Sequence, residues 1–136
     1  METNQMIIEK VSPWDFEKTV ELLTSEAGKR NWQIPAIHDL QQSLAKAGKA
    51  VNSVKVLEVC KPEFSGKMLE KNDERIVSVM MPCRISIYLK EDGRTYVALI
   101  NGAALVAGMP ETVREVMTAA ADEVNEIVDS VFNRHF

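Results

Sequence analysis

The chain has 136 residues, which suits one domain with a core of ordinary size and no need of disulfide or metal staples. Hydrophobic residues make up 46%, charged residues 26% and aromatics 6%, and the formal net charge is −4. That balance leaves no basic stripe for phosphates and no aromatic platform for bases, so nucleic acid is not an expected partner.

Residues 6–11 read as a short strand. Ser12-Pro13-Trp14-Asp15 resembles a helix start, with Ser12 as the cap and Pro13 at the first helical position. Phe16, Val20, Leu23 and Ala27 recur at helical spacing, and Gly28 is the expected stop. Trp14 and Trp32 flank this helix as anchors. Residues 31–37 read as a second, weaker strand, which Pro35 demotes to an edge or breaks. Asp39, with Gln42 three residues on, starts a short helix that ends near Gly48. Residues 51–60 form a third strand, with Val54 and Val56 on the face of Cys60 if alternation is regular.

Pro62 opens the next helix, with Phe64, Met68 and Leu69 as its inner residues. After the polar break Asn72-Asp73-Glu74, three strands are expected at 75–81, 83–90 and 95–101. Glu91-Asp92-Gly93-Arg94 is a hairpin turn of the Asp-Gly kind. Along 83–90, Cys83, Ile85, Ile87 and Leu89 alternate with Arg84, Ser86, Tyr88 and Lys90, one face buried and one wet. Residues 102–108 are small and apolar, a loop or a short extra turn. Pro110-Glu111 opens a long last helix whose stripe is Val113, Val116, Met117, Ala120, Val124, Ile127, Val128 and Val131. The order is β-α-β-(α)-β-α-β-β-β-α. It predicts an α+β fold in which helices cover one face of an antiparallel sheet.

No stretch approaches the roughly 18 apolar residues of a membrane span, and the first residues lack the pattern of a secretory leader. The expectation is a cytoplasmic protein with reduced thiols. Its two cysteines each sit beside a proline at a strand edge, in Cys60-Lys61-Pro62 and Pro82-Cys83. Cys60 precedes a helix start, where orphan amides and the dipole favour a thiolate, and Lys61 adds positive charge. Such a thiol suits thiol–disulfide exchange, sulfur carriage or soft-metal binding. The alternative is two buried cysteines acting as small hydrophobes, with Cys83 sharing the face of Ile85 and Ile87. No Cys-x-x-Cys spacing is present.

His38 is a third ligand candidate, for a metal or haem held with Cys60 and Cys83, or else a loop histidine. His135 is penultimate and expected to fray. Glu58 shares the predicted face of Cys60, and Arg84 follows Cys83. The two form either a pair that biases the thiols or two solvated side chains. Met68, Met80, Met81 and Met117 suit an adaptable apolar pocket or ordinary core. No Ser-His-Asp order, phosphate loop or paired catalytic carboxylates stand out.

Over residues 54–101 the chain resembles the DUF302 family. The resemblance rests on Val59-Cys60-Lys61-Pro62, the amphipathic helix ending in Leu69-Glu70-Lys71-Asn72, Met80-Met81-Pro82-Cys83, the strand that follows, and Glu91-Asp92-Gly93-Arg94-Thr95-Tyr96-Val97. The segment 101–109 departs from the family pattern. The resemblance implies a TATA-box-binding-protein-like α+β fold, often a homodimer, with Cys60 and Cys83 converging and no established activity. The expected function is binding of a small ligand or partner near Cys60, Pro62, Pro82, Cys83, Glu58 and Arg84, with residues 113–131 as one wall of a groove. A redox or sulfur-handling protein, with Cys60 reactive and Cys83 resolving, is the alternative.

Overall fold

A computed structural model describes residues 6–134. Strand β1 (Ile7–Val11) leads into helix α1 (Phe16–Lys29), strand β2 (Gln33–Asp39), helix α2 (Leu40–Lys46) and strand β3 (Val54–Cys60). Helix α3 (Pro62–Leu69) and a 3₁₀ helix (Glu74–Met80) follow, then strands β4 (Cys83–Leu89) and β5 (Thr95–Ile100). A short helix α4 (Gly102–Leu105) and the long α5 (Glu111–Phe132) complete the order. The five strands form one sheet in the order β1-β5-β4-β3-β2, and every neighbouring pair is antiparallel.

Alternation decides which face the helices cover. Leu57 and Val59 on β3, Ile85 and Ile87 on β4, and Val97 and Leu99 on β5 are buried on one face. They pack with Leu23 and Ala27 of α1 and with Ala120, Val124, Ile127, Val128 and Val131 of α5. All eight stripe positions expected on the last helix are buried. The other face carries Ile7 and Val11 of β1 and Ile100 of β5, all exposed. A second cluster sits beyond the end of the sheet and holds Met68, Val77, Val106, Val113, Val116 and Met117, with Met80, Met81 and Met109 against it.

Local chemistry sets the boundaries and corrects three expectations. Asp15, not Ser12, caps α1, and its carboxylate accepts from the Lys18 amide at 2.7 Å. The Ser12 hydroxyl is used elsewhere: it lies 2.7 Å from Thr19 Oγ1 and accepts from the Trp14 amide. Helix α1 runs through Gly28, and the chain turns at Asn31, whose φ of 66° is a left-handed value that asparagine tolerates. Asp39 both ends β2 and caps α2, accepting from the Gln42 amide at 2.9 Å. Pro35 lies on an edge strand beside a register shift between Gln33 and Ala36, where no ladder amide is lost.

The third correction is residues 75–81, expected as a strand. They wind into the 3₁₀ helix, so the sheet has five strands rather than six. A period of three sorts the segment. Val77 and Met80 face the methionine cluster, while Ile76 and Val79 stand 78% and 85% exposed. The hairpin at 91–94 forms with only Gly93 at positive φ, 79°, and with the Lys90 amide donating to the Arg94 carbonyl. That is a type I turn closed by a glycine bulge rather than a two-residue turn. Among the described residues no helix is long and apolar enough to cross a membrane.

Candidate functional site

The end of β3, the start of α3 and the start of β4 meet beside α5. Cys83 is opposite Val59 in the β3–β4 ladder, and Cys60, one residue further along β3, is opposite Gln33 of β2. Pro62 opens α3 at its first position, where its missing N–H removes nothing from the helix. The Met81–Pro82 peptide is cis, and Pro82 stands at the mouth of two cavities.

The smaller cavity, about 30 Å³, is bordered by both cysteines together with Met68, Met81 and Met117. The structure thus brings Cys60 and Cys83 to one place, as free thiols. Cys60 Sγ lies 3.7 Å from Ser65 Oγ on α3. Burial pushes the Cys83 thiol above its ordinary pKa, and the neighbouring Cys60 adds to the shift. Cys83 is therefore a neutral thiol at physiological pH. The Lys61 ammonium is engaged on α5, 2.8 Å from Glu123 Oε1.

The larger cavity, about 390 Å³, opens on the other side of Cys83, between the 3₁₀ helix, α4, α5 and the ends of β4 and β5. Its apolar lining includes Met80, Met81, Leu99, Leu105 and Met117. Arg84, Asn101, Asp122 and Asn125 supply polar groups. Asn125 Oδ1 also accepts from Lys10 Nζ at 2.5 Å, and Lys10 bridges on to Asp129 at 2.7 Å.

Glu58 and Arg84 are paired in register across β3 and β4, on the face away from the helices. Their ion contact is loose, 4.0 Å, and Arg84 is 63% exposed. Glu58 instead holds His38 Nε2 at 2.8 Å. His38 is opposite Val56, four residues along β3 from Cys60, so it is not brought to the thiols. Among the described residues no three His, Cys, Asp or Glu side chains gather as metal ligands. His135 lies outside the described residues.

Sequence reasoning missed Asn101, Asp122 and Asn125. Asp122 and Asn125 lie one helical turn apart beside the apolar stripe of α5, a signal of position but not of role. Asn101 follows β5 and stands at the cap position of α4, in the segment expected to depart from the family pattern.

A five-stranded antiparallel sheet with helices packed against it, and a cleft beside its central strand, defines an α+β fold. The chain belongs to the DUF302 family: the family model described as "Domain of unknown function DUF302" matches residues 8–133. An uncharacterized protein of Aquifex aeolicus (strain VF5) is 30% identical over 116 residues, 85% of this chain and 71% of that one. The crystal structure of an uncharacterized conserved DUF302 protein from Bacillus stearothermophilus matches with a TM-score of 0.82 at 18% identity, covering 92% of this chain and 97% of that one. At that identity the likeness is one of fold.

Proposed function

We propose that this protein binds a small, largely apolar molecule in the cleft beside Cys83. The observation that carries the reading is the cleft itself. Its volume of about 390 Å³ falls in the range of small-molecule sites, and apolar walls meet a few polar groups there. Met80 and Met81 on one side and Met117 on another let the walls adapt to the shape of the guest. Arg84 and Asn101 fix its polar end.

Titration with the apolar fluorophore 1-anilinonaphthalene-8-sulfonate tests this. Ala103 is an exposed residue of the cleft wall, so Ala103→Trp fills the cleft with little strain. Saturable binding is expected in the native chain and about tenfold weaker binding in the variant, a loss of about 1.4 kcal/mol. Stability should change by no more than about 0.5 kcal/mol. Equal affinity in both proteins would remove the cleft as the site.

A second reading, thiol exchange with Cys60 attacking and Cys83 resolving, has the shared cavity in its favour. The raised pKa of Cys83 works against it, because the thiolate is the reactive form. In a Cys60→Ser variant, Cys83 should react with iodoacetamide at least about tenfold more slowly at pH 7 than a free thiol. The rate should climb only as pH passes above the ordinary thiol value of 9.0. Rapid alkylation at pH 7 would put thiol chemistry first.

A further inference from the structure

The small cavity has an unusual wall. Of the 2 cysteines and 7 methionines in the chain, both cysteines and three of the methionines border it. We infer that this cavity is a binding site for a soft monovalent metal ion, copper(I), held by the sulfurs of Cys60 and Cys83 with thioether support from Met68, Met81 and Met117.

Size, ligand type and charge each support the assignment. A cavity of about 30 Å³ admits one water-sized body, hence one ion and not a cluster or an organic guest. Thiolate and thioether are soft donors that select copper(I), whereas hard cations need oxygen ligands. No carboxylate or imidazole borders the cavity, His38 is held by Glu58, and the one charged side chain on the wall, Lys61, is paired with Glu123 at 2.8 Å.

The exchange also conserves charge. One thiol gives up its proton to solvent as a copper–sulfur bond forms, so R–SH and Cu⁺ become R–S–Cu and H⁺. No electron is transferred. The remaining thiol and the thioethers are neutral donors. The buried site is left with the charge it had before, while a divalent ion exchanged for one proton would add a charge in a place that solvates charge poorly. The wall is also anchored: Met68 is 1% exposed, and Cys60 and Cys83 stand on paired strands of one sheet.

The experiment is an anaerobic titration of the reduced full chain against the chromophoric complex of copper(I) with bicinchoninate. The native chain is expected to withdraw one equivalent of copper. Cys60→Ser with Cys83→Ser should bind at least 100-fold more weakly. Met68→Leu with Met117→Leu keeps volume and both thiols, so the fold is retained, and it should bind at least tenfold more weakly. Zinc(II) offered with its own indicator should stay with the indicator. Copper left wholly with bicinchoninate, equal affinity in the methionine variant, or preferential uptake of zinc would each overturn the assignment. Ala103→Trp, which tests the cleft, should leave copper uptake unchanged, so failure of one proposal is separable from failure of the other.

Discussion

Ile127→Ala is expected to cost about 2–5 kcal/mol of folding stability. Ile127 is fully buried in the C-terminal half of α5, in the cluster that holds Leu23 of α1 and Leu57, Ile85 and Ile87 of the sheet. Three elements converge there, so neighbours cannot collapse into the space without moving a strand or a helix. Against a total stability of about 5–15 kcal/mol, the loss is a large fraction of what holds the chain folded. Ile76→Ala removes the same atoms from a side chain that is 78% exposed, and should change stability by no more than about 0.5 kcal/mol. Urea denaturation of both variants makes the comparison. A cost below about 1 kcal/mol at Ile127 would mean that α5 is not seated on the sheet as described.

Gly102→Ala should destabilise the protein by about 1–3 kcal/mol although it adds one methyl group. A Cβ at residue 102 would lie 2.5 Å from Ala121 Cβ and 3.3 Å from the Met117 carbonyl oxygen. Neither neighbour can rotate aside, because one is the first atom of its side chain and the other is backbone. Either α4 or α5 must shift. Adding Ala121→Gly removes the clash and should recover stability, less about 1 kcal/mol for a glycine inside a helix. Urea midpoints of the two single variants and the double variant form the cycle that isolates this contact. A neutral Gly102→Ala would show that the two helices do not approach so closely. Gly102 and Ala121 also line the cleft, so the same variant should weaken fluorophore binding.

The long last helix was legible because eight residues repeat at 3.6 spacing over about five turns, a pattern no strand shares. The strand at 83–89 was legible because Ile85 and Ile87 alternate with polar neighbours. Residues 75–81 misled for a physical reason. Ile76, Val77 and Val79 are β-branched and suggest a strand, but here their burial follows a period of three and only Val77 goes inside. Cys60 and Cys83 share a cavity through long-range pairing, which no local spacing reports. The methionines of that cavity come from α3, the end of the 3₁₀ helix and α5, so their meeting is a property of the packing and not of any one segment. Of the cleft's polar groups, Arg84 was singled out because it follows Cys83, but Asn101 and Asn125 were illegible: they come from different elements, and each alone reads as an ordinary surface residue.

The strand order has a consequence for how the chain comes into being. Among the described strands β1 pairs with β5 alone, Ile7 opposite Ile100, so the first strand of the sheet waits for the last of the five. Until then the nascent chain can build the antiparallel β2–β3 pair, while Ile8 and the inner face of α1 have nothing to rest on. Contacts of such long sequence separation slow folding and leave apolar surface open meanwhile. Synthesis should therefore proceed with an unclosed sheet edge, and the apolar side of these segments stays open until α5 closes over it.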